Sequence, residues 1–150
     1  MDTLPNLTLP CTQIGELDLS TLKGKPVVLY FYPKDNTPGC TMEGKDFARH
    51  YDAFAEHGVA VYGVSRDKLV THENYKRKHS FPFELISDVE ETLCDHFDVI
   101  KGKTMFGRKV RGIQRSTFLF DSNGTLIRSW RKVKVSGHVE EVLALVRETF

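Results

Sequence analysis

The chain has 150 residues, 40% of them hydrophobic and 27% charged, and carries a net charge of +1, which suits one globular domain over residues 1–150 with a single core. So even a charge balance excludes the basic excess of a nucleic-acid binder, and no apolar run approaches the roughly 20 residues of a membrane span. Three cysteines, Cys11, Cys40 and Cys94, are too few and too scattered for a disulfide framework or for paired zinc ligands.

The start, Met1-Asp2-Thr3-Leu4-Pro5-Asn6, has neither the basic residues nor the apolar stretch of a secretion signal, so the expected location is the cytoplasm. Leu7 to Leu19 reads as a small hairpin around Gly15. Val27 to Tyr32 is a continuous β-branched and aromatic run, the pattern of a strand covered on both faces, and it stops at Pro33. From Cys40, the apolar residues Phe47, Tyr51 and Phe54 recur at helical spacing up to Gly58, a helix-ending residue. Val59 to Val64 is a second buried strand, and strand–helix–strand of this length implies a right-handed parallel crossover. A polar helix over about 70–78 and a short strand over 83–86 follow. Asp88 is the expected N-cap of the next helix, whose apolar stripe is Val89, Leu93 and Phe97 with Cys94 at its edge.

A long connection then carries Lys101, Lys103, Arg108, Lys109 and Arg111 around Met105, Phe106 and Gly107. A solvated loop is its ordinary reading, and the alternatives are a border to the functional site, a subunit contact or a dock for an acidic reductase. Two strands, 116–120 and 125–130, flank Asp121-Ser122-Asn123-Gly124, a strong hairpin signal. Val139, Val142, Leu143 and Val146 mark a last amphipathic helix. The expected fold class is α/β, with a central mixed sheet, helices on both faces and an N-terminal β-hairpin extension.

One segment reads as chemistry: Pro33-Lys34-Asp35-Asn36-Thr37-Pro38-Gly39-Cys40. A cysteine where a strand-exit loop passes into a helix faces unpaired backbone N–H groups and the positive end of the helix dipole, both of which favour thiolate, the nucleophilic form. Thr37 can offer a hydroxyl to the same pocket, while Pro33 and Pro38 stiffen the loop and shield the sulfur from water. None of the six histidines has a spacing that pairs it with Cys40, and they show no metal-ligand spacing with the scattered acids. Arg115, at the start of the strand ending at Phe120, is the better partner. A guanidinium projecting from a strand end favours the thiolate and can donate to an oxygen-bearing substrate, although a solvated strand-end arginine is the commoner reading.

These residues resemble the peroxiredoxins of the bacterioferritin comigratory protein, or peroxiredoxin Q, subfamily. The likeness runs through Gly24-Lys25-Pro26 and the strand after it, Thr37-Pro38-Gly39-Cys40-Thr41, Gly63-Val64-Ser65 with Asp67, Phe81-Pro82-Phe83 with Ser87-Asp88, and Arg115-Ser116-Thr117-Phe118-Leu119. It implies a thioredoxin-like fold and a thiol peroxidase that reduces hydrogen peroxide and organic hydroperoxides without a metal or organic cofactor. Cys40 is then the peroxidatic nucleophile and Arg115 holds thiolate and peroxide. Thr37 orients the peroxide and Pro33 shapes the pocket. Glu43 is a supporting residue by this reading, or simply a first-turn helix carboxylate.

The chain departs from the subfamily at Lys45, where many members place a resolving cysteine five residues after the first. Five residues of helix rise ~7.5 Å, beyond the ~7 Å Cα limit for a disulfide, so members that use that pair must unwind the helix. A lesser departure is Ala48, followed by Arg49, where an arginine is expected. Three routes remain for recycling Cys40. An external thiol (glutathione, glutaredoxin or thioredoxin) is favoured; Cys94 and Cys11 are the internal candidates, each more simply a core residue. The expected state is a monomer or weak homodimer. A disulfide oxidoreductase would need a cysteine in place of Glu43, whereas a noncatalytic redox-sensing module shares the need for a reactive Cys40.

Overall fold

Every residue from Val27 to Phe31 is buried, with Val27, Leu29 and Phe31 entering one apolar cluster and Val28 and Tyr30 a second. Side chains alternate along a strand, so burial at each position means that the sheet is covered on both faces.

The computed structural model describes residues 2–150; the side chains of Lys103 and Met105, two members of the basic segment, lie outside the described residues. In chain order the strands are β1 (Thr8–Cys11), β2 (Gly15–Asp18), β3 (Val27–Phe31), β4 (Ala60–Ser65), β5 (Glu84–Ser87), β6 (Ile100–Met105), β7 (Arg108–Ile113), β8 (Ser116–Phe120) and β9 (Leu126–Trp130). The helices are α1 (Pro38–Arg49), α2 (Tyr51–Glu56), α3 (Leu69–His79), α4 (Thr92–His96) and α5 (His138–Thr149). Seven strands form one mixed sheet in the order β2-β1-β5-β4-β3-β8-β9, parallel at β3/β4 and β4/β5 and antiparallel elsewhere.

The two clusters are the two faces. On the first, Leu19, Leu22, Leu93, Cys94 and Phe97 pack with Cys11 against Phe31, Phe118 and Ile86. Its partner face carries Cys40 and Phe47 from α1, Phe54 from α2, Tyr75 from α3, and Val139, Val142, Leu143 and Val146 from α5. The mixed sheet, the crossover and the last amphipathic helix therefore match the reading from sequence. So does the N-terminal hairpin, which is also stitched into the sheet through Cys11 opposite Ile86.

Several details differ. Helix α1 begins at Pro38, whose missing N–H costs nothing at the first helical position, and the helical stretch to Gly58 is interrupted at His50, where α1 ends and α2 begins. Val89 lies outside α4 and is 52% exposed. Asp88 still serves the helix start, accepting from the Leu93 and Cys94 N–H groups at 3.1 and 2.7 Å, although Glu91 holds the cap position itself. The long basic connection is a two-stranded ladder, β6 against β7, with Phe106 and Gly107 at its tip in left-handed conformations. In the β8–β9 turn only Gly124 takes positive φ, and Asp121 accepts from the Asn123 and Thr125 N–H groups.

Candidate active site

The antiparallel register of β3 and β8 builds the site. Phe31, the last residue of β3, lies opposite Ser116, the first of β8, so the residue before Ser116 emerges at the carboxyl end of β3, where the loop to α1 departs. That residue is Arg115. Its Nη2 lies 3.4 Å from Cys40 Sγ and its Nη1 donates to Glu43 Oε1 at 2.7 Å. Cys40 and Glu43 sit one turn apart on α1, so a single guanidinium spans both. Gly39 makes the approach feasible: a Cβ there would lie 3.3 Å from Nη2.

Cys40 is 2% exposed and Glu43 is fully buried. Burial raises the Glu43 carboxyl to about 7, with Arg115 pulling against part of that rise. Its Oε2 has no partner among the described residues. For Arg115, burial disfavours the charge, but Glu43 and Cys40 more than offset it and hold the guanidinium protonated. A persistent cation with hydrogens aimed at sulfur is what a thiolate, and a peroxide oxygen beside it, would require.

Thr37 caps α1, its carbonyl accepting from the Thr41 N–H at 2.9 Å, while its hydroxyl donates to the Lys34 carbonyl at 2.7 Å. A carbonyl only accepts, so the Thr37 proton is committed and the hydroxyl presents lone pairs; it can accept from a peroxide O–H but cannot donate to the leaving oxygen. Pro33 is exposed at the rim, a wall rather than a cover.

The other named residues lie apart from this group. Cys11 and Cys94 are fully buried in the opposite face of the sheet. Burial, then the charges of Glu84 and Glu73, push the Cys11 thiol up to about 12; burial and Asp88 push Cys94 far above its ordinary value. Cys94 is thus not at the edge of its helix's apolar stripe but inside the core. Lys45 is exposed on α1, and Arg49 pairs with Asp46 and Glu140 at 3.0 and 3.2 Å, away from Cys40's sulfur contacts.

A second set of residues, two of them in segments already quoted, had no signal in the sequence for the contacts that join them. Asp35, in the loop before Cys40, accepts from the Tyr32 hydroxyl at 2.6 Å and lies 2.7 Å from His72 Nδ1; its N–H donates to Asp67 at 2.9 Å. His72 Nε2 faces the Ile86 carbonyl at 3.0 Å. The loop is therefore tied to β4, α3 and β5 from below. Asp35, Asp67 and His72 bring ligand-type atoms within 4.8 Å of one another, but each of those atoms already has a hydrogen-bond partner in this closed network. His72, on a helix that reads as polar, looks solvent-facing in sequence. His138, fully engaged with the Thr117 hydroxyl at 2.8 Å, is pushed down to about 4 by burial and by Arg115 nearby.

Comparison with known proteins agrees with this arrangement. The model of the AhpC/TSA family matches residues 1–129. Peroxiredoxin Bcp of Bacillus subtilis is 48% identical over 144 residues, covering 96% of this chain and 92% of that protein. Peroxiredoxin Bcp of Xanthomonas campestris is 51% identical over 124 residues, or 83% and 78% of the two chains. A solved structure of the Xanthomonas campestris bacterioferritin comigratory protein, concerned with its alkyl peroxide reduction activity, superposes with a TM-score of 0.92 at 45% identity over 97% of this chain and 95% of that one. A thiol held by an arginine at the end of a thioredoxin-like sheet, in a sequence this close to these relatives, belongs to the AhpC/TSA family, and the chain is a peroxiredoxin enzyme of the Bcp, or peroxiredoxin Q, kind.

Proposed function

We propose that the chain, acting as one domain, reduces hydrogen peroxide and organic hydroperoxides through Cys40 and is recycled by an external thiol. The observation that carries the first half is the 3.4 Å contact between Arg115 Nη2 and Cys40 Sγ. The thiolate attacks one peroxide oxygen; an S–O bond forms as the O–O bond breaks, and the departing oxygen takes up a proton to leave as water or an alcohol. Sulfur gives two electrons and becomes a sulfenic acid. Arg115 stabilises the charge that develops on the leaving oxygen, and Thr37 accepts from the peroxide O–H and so fixes which oxygen faces sulfur. Pro33 walls the pocket. Because sulfur carries both electrons, this half-reaction needs no metal or organic cofactor.

Placement supports the second half. Cys11 and Cys94 pack on the face of the sheet opposite Cys40, so either would have to leave the core to reach it, and Lys45 supplies no thiol within α1. An incoming thiol condenses with the sulfenic acid, releasing water and leaving a mixed disulfide, and a second thiol frees Cys40. Glutathione, glutaredoxin and thioredoxin share the required chemistry. Three free thiols suit a reducing compartment, which supports a cytoplasmic location. A monomer or weak homodimer is sufficient for this cycle.

Cys40→Ser should abolish peroxide consumption, and near-normal turnover in that variant would refute the assignment. For recycling, intact mass of the wild-type chain after one equivalent of peroxide should show a gain of one oxygen, or one adduct of an added small thiol. An internal Cys40–Cys94 or Cys40–Cys11 disulfide would overturn the external route.

A further inference from the structure

Helix α3 grips the chain on both sides of Cys40. His72 and Tyr75 lie one turn apart on it and share a face; both are buried. His72 Nδ1 lies 2.7 Å from Asp35 Oδ2, in the loop before Cys40, while the Tyr75 hydroxyl donates to Thr41 Oγ1 at 3.0 Å, in the residue after it. The Ile86 carbonyl, which can only accept, faces His72 Nε2 at 3.0 Å, so the imidazole is fixed from both ends.

The grip on Asp35 carries through to the site. Pro33, Lys34, Asn36 and Pro38 are exposed, whereas Asp35 turns inward. There it accepts from the Tyr32 hydroxyl at 2.6 Å, and its N–H donates to Asp67 Oδ2 at 2.9 Å. Both of its neighbours depend on that anchoring. Asn36 sits at φ 63°, a left-handed conformation that a residue with a side chain keeps only where its surroundings hold it. Lys34 supplies the carbonyl that takes the Thr37 proton at 2.7 Å. Thr37 in turn accepts, through its own carbonyl, from the Thr41 N–H at 2.9 Å. Thr41 is therefore held twice, by Thr37 and by Tyr75, and Cys40 lies between the two anchored ends. An apolar side chain at position 72 would fill the core with less desolvation; a satisfied polar network instead specifies one arrangement of the groups it joins.

We propose that His72 and Tyr75 are positioning residues for peroxide reduction: α3 splints the junction between the loop after β3 and α1, and so fixes Thr37 and Cys40 relative to Arg115. The proposal rests on the peroxidase reading for its role, though not for the splint itself. Each residue acts through another, His72 through Asp35 and Tyr75 through Thr41.

The test compares wild type with His72→Asn, His72→Leu and Tyr75→Phe, with dithiothreitol as reductant and each chain shown to be folded by circular dichroism. Asparagine sets an amide nitrogen where the ring has Nδ1 and keeps a donor toward Asp35; leucine removes it. His72→Leu should lower kcat/KM for hydrogen peroxide about tenfold and Tyr75→Phe about threefold, with His72→Asn recovering to within about threefold of wild type. Alkylation of Cys40 by iodoacetamide, which needs no aligned peroxide, should not slow in any of them. A lowered urea midpoint with unchanged kcat/KM, parallel losses in both reactions, or no recovery in His72→Asn would overturn the assignment. If His72→Leu does not fold, a cycle of Tyr75→Phe with Thr41→Val decides: the double variant should be no slower than the slower single one, and additive losses would refute coupling through that contact. A further arm does not depend on turnover. Amide hydrogen exchange over residues 34–41 should be about threefold faster in Tyr75→Phe than in wild type, with α5 unchanged. Unchanged exchange refutes the splint even where peroxidase activity is intact, and faster exchange in a chain whose wild type consumes no peroxide refutes only the peroxidase reading.

Discussion

The two faces of the sheet hold the same residue type in opposite conditions. Cys40, Cys11 and Cys94 are all buried, at 2, 0 and 0% exposure, so burial does not separate them. What differs is the group in direct contact with the sulfur, since Lys76 near Cys11 and Arg66 near Cys94 only partly offset the burial and carboxylates there. Cys40 has a guanidinium at 3.4 Å. Cys11 and Cys94 have carboxylates nearby, from Glu84 and Glu73 in one case and Asp88 in the other, which add to burial in keeping the thiol protonated. Negative neighbours and a dry core suit inert packing; a fixed cation beside the sulfur is what the proposed nucleophile requires.

The strongest way to break this contrast is to remove the cation. Arg115→Ala should lower kcat/KM for hydrogen peroxide by about 10²–10³, the usual loss for one preorganised donor at a developing charge, whereas the Cys11→Ser/Cys94→Ser double variant should stay within about threefold in the same assay. If the double variant fell as far as Arg115→Ala, the sheet would not be the barrier between the two sets of thiols.

A second effect concerns Glu43, the carboxyl on the reactive face. Its carboxyl is raised to about 7 from 4.5 by burial, so between those values the unfolded chain loses a proton that the folded chain keeps. Stability contributed by this group therefore falls as pH rises from 4.5 to 7, by on the order of 3 kcal/mol, and is level above that. His138 works in the reverse direction: lowered to about 4 from 6.5, it takes stability away as pH falls from 6.5 toward 4. Urea denaturation of wild type and Glu43→Gln across pH 4–8 isolates the first. Wild type should lose stability relative to the variant as pH rises through that window, and a constant difference would mean that Glu43 is not held in its neutral form.

The smallest effect sharpens the distance itself. Gly39→Ala places a methyl 3.3 Å from Arg115 Nη2, tighter than a relaxed contact, so the guanidinium must shift by a few tenths of an ångström. Turnover should fall several-fold with an unchanged urea midpoint; a normal rate would show that the sulfur–guanidinium spacing tolerates that displacement.

Much of this was legible in the chain itself because it depends on local pattern. An unbroken β-branched and aromatic run from Val27 to Tyr32 names a strand covered on both sides, and a cysteine after Thr-Pro-Gly names a helix start. Arg115 was recognisable as a charge at a strand end, yet its partner Glu43 carried no mark that set it apart from any first-turn carboxylate; only the register of β3 with β8 shows that one guanidinium reaches both. The Asp35–His72 pair was invisible for the same reason, since its members meet through tertiary placement across 37 positions. Cys94 misled in the opposite sense: Val89 seemed to extend its helix and to push Cys94 to the edge of the stripe, when the helix starts later and the cysteine turns inward. The basic segment gave no alternation of apolar and polar residues, so a ladder held by backbone hydrogen bonds read as a loop.

The span of chain between Cys40 and Arg115 also governs when the enzyme first becomes an enzyme. The two lie 75 positions apart and meet only where β8 pairs with β3, a non-local pairing. Before that docking the thiol has its helix but no counter-charge. By the proposed mechanism, a chain still emerging from the ribosome thus carries a cysteine without its cation until the sheet closes around it.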